Sequence, residues 1–110
     1  MSPEAVAATA KVESDFNMDS GPCIGIMQIN PSTYVEEHGR SGIDPREIHG
    51  NLRIGSKELA RHYYNSRHCT TERMRLACMW GRYNGCGPHG SYVRRALDLY
   101  HEICRAEFKC

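Results

Sequence analysis

Val12-Glu13-Ser14-Asp15-Phe16-Asn17, followed after a short turn-rich segment by Gly25-Ile26-Met27-Gln28-Ile29-Asn30-Pro31-Ser32-Thr33, is the stretch that decides how this chain folds. Upstream of it, Ser2 and Pro3 make a helix start, with a capping hydroxyl and a proline whose backbone angle suits the first turn. Helical spacing sets Val6, Ala10 and Glu13 along one stripe and Ala5, Ala8 and Val12 beside it, so the Glu13 carboxyl continues an apolar face. A carboxyl placed there is partly desolvated, which penalises its charged form and raises its pKa by roughly 1 to 3 units. An acid kept protonated near neutral pH is what general acid catalysis needs. Spacing alone still favours a plainer role for Glu13, a capping or ion-paired carboxylate at a helix end.

The remaining pattern is helical. Asn30 before Pro31 and Asp44 before Pro45 predict two short helices, with Gly39 as the stop of the first. Asn51 is expected to cap a longer helix to about Arg67, with Leu52, Leu59 and Tyr63 at helical intervals and Gly55 admitting a close neighbour. Thr70 is expected to cap a helix over residues 71–83. That helix carries Met74, Ala77, Cys78 and Gly81 on one side and Leu76, Trp80 and Tyr83 on another, a pattern that predicts burial around most of its circumference. Residues 85–90 break the pattern, and Ser91 caps a last helix with Val93, Ala96, Leu97, Tyr100 and Cys104 facing inward, followed by a short tail from Arg105. Only residues 18–29, where Ile24, Ile26 and Ile29 alternate with small or polar residues, have the makings of a small hairpin. The expected fold class is therefore mainly α, one domain over residues 1–110 with at most a small β-hairpin.

Composition is ordinary for a soluble domain: 40% hydrophobic and 25% charged residues in 110, with a formal net charge of +1. That balance gives no reason to expect nucleic acid as a partner, and no apolar stretch is long enough for a membrane span. No basic segment followed by a hydrophobic run precedes Glu13, so any export signal is expected to lie outside these residues. The six cysteines, Cys23, Cys69, Cys78, Cys86, Cys104 and Cys110, include no Cys-x-x-Cys pair, and they read as disulfides of an oxidising compartment, periplasmic or secreted. Their pairing is open, and Cys78 and Cys104, on apolar stripes, are also compatible with buried thiols. The histidines His38, His49, His62, His68, His89 and His101 lack zinc-site spacing, so no metal and no cofactor is expected.

Three blocks in order, Glu13 to Asn17 with Gly25 to Thr33, then Asn51-Leu52-Arg53-Ile54-Gly55 with Leu59, then Gly81-Arg82-Tyr83-Asn84-Gly85, carry a resemblance. Over nearly the whole chain the sequence resembles the lysozyme-like domain of soluble lytic transglycosylases, a family similar in fold to goose-type lysozyme. The resemblance implies cleavage of the β-1,4 bond between N-acetylmuramic acid and N-acetylglucosamine in peptidoglycan strands. Glu13 matches the family's single catalytic acid, which protonates the glycosidic oxygen and then, as a base, takes the proton of the muramic acid C6 hydroxyl to give a 1,6-anhydro sugar. Met27 and Gln28 match positions that line the glycan groove, and Tyr83, with Asn84 after it, matches a tyrosine beside the acid. Without the motif Tyr83 reads as a core aromatic and Asn84 as a helix cap, and Trp80 reads as core in either case.

The segment between Ser14 and Gly25 is shorter than the family's usual one. Ser20 is the only candidate for its groove serine, and Cys23 stands where the family has no typical cysteine, so a disulfide is expected to replace the packing of a longer loop. A retaining or inverting glycosidase would need a second carboxylate. Asp15 and Asp19 are the nearest in sequence and Asp44 could approach through the fold, but each reads more readily as a turn or cap residue. A hydrolytic muramidase using the same Glu13, and a non-catalytic glycan-binding module, are the alternatives. The sequence does not distinguish a phage, secretion-apparatus or antibacterial setting, nor an inhibitor partner.

Overall fold

The first helix of the computed structural model, α1, spans Pro3–Ser14, and the Ser2 hydroxyl accepts from the Ala5 N–H at 3.3 Å as the sequence suggests. The structure describes residues 1–18, 21–83 and 91–107. Asn30 caps a one-turn helix, α2, Pro31–Thr33, by accepting from Ser32 N–H at 2.9 Å; it runs directly into a π-helical turn, Tyr34–His38, that stops at Gly39. The long helices are α3, Ile48–Asn65, α4, Glu72–Tyr83, and α5, Tyr92–Glu107. Helix α1 packs on α5 and α3, and α4 lies against both α3 and α5, giving a mainly α-helical domain.

Several boundaries differ from expectation, each for a local reason. Asp44 and Pro45 start no helix of their own: the Asp44 carboxylate accepts from Arg46 N–H at 2.9 Å and makes a turn. The cap of α3 is Glu47, whose carboxylate accepts from His49 and Gly50 N–H at 3.1 and 2.8 Å. These two bonds, more than any other influence, hold the Glu47 carboxyl below its usual range. Asn51, expected at the cap, is instead buried a turn inside the helix. At α4 the hydroxyl bonded to the first turn is that of Thr71, which accepts from Met74 N–H at 3.1 Å, whereas Thr70 turns its hydroxyl to the Met74 sulfur. Helix α4 is buried on one face only, through Leu76, Met79, Trp80 and Tyr83, while Met74 is 50% exposed. The last helix continues through Arg105 to Glu107, past the expected start of the tail. Among the described residues there is no strand; the expected hairpin contracts to one antiparallel bridge between Ile24 and Ile29.

Trp80 fills the centre of the core, beside Ala5, Ala8, Ile54, Leu59, Met79 and Ala96, all with essentially no exposure. Its indole N–H donates to the Thr9 hydroxyl at 2.9 Å, and that hydroxyl donates to the Ala5 carbonyl at 2.8 Å, so neither polar group is buried unpaired. The close neighbour that Gly55 admits is Met27: a Cβ at Gly55 would stand 2.6 Å from Met27 Cε and 2.9 Å from Met27 Cβ. Gly55→Ala is therefore expected to lower stability by about 1 to 3 kcal/mol, read from urea unfolding midpoints.

Candidate functional site

Glu13 is the penultimate residue of α1 and is only 6% exposed. The helix stops just after it because Asp15 and Phe16 take left-handed backbone angles, φ 54° and 62°, while their N–H groups turn back to Lys11 and Ala10 carbonyls at 2.9 and 3.4 Å. The chain thus leaves the helix at once and the carboxyl is held at its end. Tyr92, the first residue of α5, is buried and donates its hydroxyl to Glu13 Oε2 at 2.7 Å. Ser14, next to the acid, donates to the Ile26 carbonyl at 2.7 Å and so ties the helix end to the turn over residues 25–28.

That turn is held by backbone pairing and by the side chains of Ser14, Gln28, Asn51 and Tyr83. Ile24 and Ile29 exchange N–H···O bonds of 2.9 Å in both directions, and the Gln28 backbone N–H and side-chain amide both donate to the Gly25 carbonyl, at 3.1 and 3.0 Å. Gly25 sits at φ +72°, and a Cβ there would lie 2.1 Å from the Asn51 amide nitrogen, so only glycine fits. Asn51 uses its whole amide on this region: Oδ1 accepts from Met27 N–H at 2.9 Å, and Nδ2 donates to the carbonyls of Ile24 and Pro45, each at 2.8 Å. Tyr83, at the end of α4, donates its hydroxyl to the Met27 carbonyl at 2.7 Å.

Both phenols stay protonated. Burial pushes the Tyr83 and Tyr92 hydroxyls far above the ordinary tyrosine range, and the Glu13 charge pushes each further; Glu58 adds to the effect at Tyr83. They are donors at every physiological pH.

Two open spaces flank these groups. A cleft of about 670 Å³ is lined by Glu13, Ser14 and Asp15 from the end of α1 and by Arg95, Asp98 and Leu99 from α5. A second pocket, about 240 Å³, has Gln28 and Tyr83 in its wall with Asn30, Glu58, Arg61, His62 and Arg82. Glu58 is buried there and accepts from Arg61 Nη2 at 2.6 Å, with His38 Nε2 at 2.8 Å and His62 Nε2 at 3.7 Å. Burial works to raise its pKa, but the hydrogen bonds from Arg61 and His38 outweigh it, and the carboxyl lies below the usual range. His62 is pulled down, first by burial and then by the Arg61 charge, so the ring is neutral at pH 7. It meets the Tyr83 ring edge-on, with centroids 6.2 Å apart.

Of the residues singled out from sequence, Met27, Gln28 and Tyr83 meet at the 25–28 turn, and Glu13 is joined to it through the neighbouring Ser14; Glu13 lines the larger cleft, whereas Gln28 and Tyr83 line the smaller pocket. Met27 takes part through its backbone: its side chain has no exposure and lies in the core against Gly55, away from any groove. Gln28 is 4% exposed and occupies its amide donor within the turn. Ser20 and Asn84 lie outside the described residues, as do Asp19 and residues 85–90. Asp15 is exposed and paired with Lys11 four residues earlier, and Asp44 is the turn residue already described. Tyr92 and Glu58 were not anticipated. Both had a signal: Tyr92 stands one helical turn before Ala96 on the inward stripe of α5, and Glu58 follows Asn51, Ile54 and Gly55 on the buried stripe of α3.

Cys23 and Cys104 are each disulfide-bonded, whereas Cys69 and Cys78 are free thiols. Among the described residues no three His, Cys, Asp or Glu side chains are grouped to hold a metal ion, and no helix is long and apolar enough to cross a membrane. Compared with protein-family models, with curated proteins and with solved structures, the chain matches none of them.

Proposed function

We propose that this chain is a lysozyme-like enzyme that cleaves the β-1,4 bond between N-acetylmuramic acid and N-acetylglucosamine in peptidoglycan, acting in an oxidising compartment outside the cytoplasm. The observation that carries the reading is the Glu13 carboxyl, buried at a helix end beside an open cleft, with the Tyr92 hydroxyl 2.7 Å from Oε2. Burial and a fixed hydrogen bond act on it in opposite directions, since burial favours the neutral acid and a donated hydrogen bond favours the carboxylate. A buried carboxyl with a fixed donor beside it can serve both halves of the reaction, first as acid and then as base. As an acid, Glu13 gives its proton to the glycosidic oxygen; as a carboxylate, it takes the proton of the C6 hydroxyl while that oxygen closes on the anomeric carbon. The product is a 1,6-anhydro end, and no water enters. The wall of the smaller pocket, with Asn30, Arg61, His62 and Arg82 beside Gln28 and Tyr83, offers amide, imidazole and guanidinium groups for sugar substituents, while Gln28 and Tyr83 shape it.

A hydrolytic reading has one observation in its favour: Asp15 and Asp98 line the same cleft as Glu13 and supply carboxylates that could hold a water. Mass spectrometry of digested murein separates the two. Anhydro-muramic ends are expected, and reducing ends alone would replace transglycosylation with hydrolysis.

Tyr92→Phe tests the balance at the acid. Removing the phenol removes a donor that favours the charged carboxylate, so the neutral acid is favoured and the limb of the pH–rate profile that reports Glu13 ionisation should move to higher pH. A profile that keeps its midpoints would separate Tyr92 from the chemistry.

A further inference from the structure

We infer that Cys69 and Cys78 form a reversible disulfide that clasps the α3–α4 connection and is the most readily opened cross-link among the described residues. The two sulfurs are 2.9 Å apart, so bonding needs side-chain rotation of less than about an ångström to reach the usual 2.03–2.05 Å. Cys69 lies in the turn after α3, its N–H donating to the Ser66 carbonyl at 3.1 Å, and Cys78 lies about two turns into α4. The rest of the connection is already closed around them. The Tyr63 hydroxyl donates to Glu72 at 2.6 Å, while Arg75 donates from Nε to the Tyr63 carbonyl at 2.9 Å and stacks its guanidinium 3.7 Å over the Tyr63 ring. Oxidation therefore needs no refolding of the segment. A catalytic use of the thiols is disfavoured by the same contact, because the hydrogen bond that the Cys69 thiol donates to Cys78 pushes it above its ordinary range.

The chemistry is thiol–disulfide exchange with a disulfide oxidant such as oxidised glutathione. One thiolate attacks the oxidant and releases a glutathione thiolate; the second displaces the other glutathione from the mixed disulfide. Two protons and two electrons leave the protein, and two reduced glutathiones form. Reversibility follows from access. Both sulfurs belong to partly exposed residues, whereas Cys23 and Cys104 are 5% and 4% exposed, so a reductant meets the Cys69 and Cys78 sulfurs more readily than those of Cys23 and Cys104.

The test is peptide mapping of the folded chain oxidised with glutathione disulfide, after acid quenching and alkylation, since trypsin can cut at Arg73 and Arg75 between the two cysteines. The expected result is a linked pair of peptides bearing Cys69 and Cys78. Millimolar dithiothreitol without denaturant should open that link while Cys23 and Cys104 stay protected. Opening it should lower Tm by roughly 5–15 °C, and the Cys69→Ser/Cys78→Ser double variant should melt at the lower temperature with or without mild reductant. Alkylation of both residues in the oxidised protein, or linkage of either to another cysteine, would overturn the assignment. So would protection of Cys69–Cys78 under conditions that reduce Cys23 or Cys104.

Discussion

Glu13→Gln is expected to lower murein cleavage by about a thousandfold, the range in which a positioned general acid contributes, while leaving the fold intact. The amide is nearly the same size, and its carbonyl oxygen can accept the Tyr92 hydroxyl that Oε2 accepts in the parent chain. Far-UV circular dichroism should therefore be unchanged and Tm should stay within a few degrees. Affinity for a non-cleaved chitooligosaccharide should also persist. Residual lysis near the parent rate would remove Glu13 from the chemistry. Loss of glycan binding with full retention of fold would instead make it a ligand-holding residue of a binding module.

Asn51→Ala should cost about 3 to 5 kcal/mol of unfolding free energy, measured by urea titration. The size follows from what the amide holds: Met27 N–H and the Ile24 and Pro45 carbonyls all bond to it, in a position with no solvent access. The Ile24 carbonyl keeps the Ile29 N–H at 2.9 Å, so the cost falls on Met27 N–H and the Pro45 carbonyl, at about 1 to 3 kcal/mol for each stranded group, and on the cavity the side chain leaves. A typical domain has only about 5 to 15 kcal/mol to lose. The variant should also bind glycan weakly, because the turn that presents Gln28 and accepts Tyr83 would lose its anchor. A loss below about 1 kcal/mol would mean that water replaces the amide.

The helical pattern was readable because it rests on local chemistry. Ser2 with Pro3 and Asn30 with Pro31 set their helix starts through bonds within three residues, and both are found in the structure. Asn51 was misread for the complementary reason. An asparagine near the start of an apolar repeat looks like a cap, and nothing in its neighbours shows that its amide is used by Ile24 and Met27, which lie 27 and 24 residues earlier. Glu47 won the cap because its longer carboxylate reaches two N–H groups at once. Met27 shows a different limit. Sequence put it at the right turn but could not tell that its side chain points to Gly55 and only its backbone faces Tyr83. Tyr92 was missed because its partner is 79 positions away, so no window of local sequence contains both.

Those separations have a further consequence for how the chain acquires its site. Tyr92 to Glu13, Trp80 to Thr9 and Tyr83 to Met27 join positions 79, 71 and 56 residues apart, so each bond closes a long loop and is made against a large chain-entropy cost. Helices α3 and α4, neighbours in sequence, can meet early; the acid gains its tyrosine only when the start of α5 returns to the end of α1. A chain in which α5 has not yet returned to α1 lacks the Glu13–Tyr92 bond, so that contact reports the finished fold.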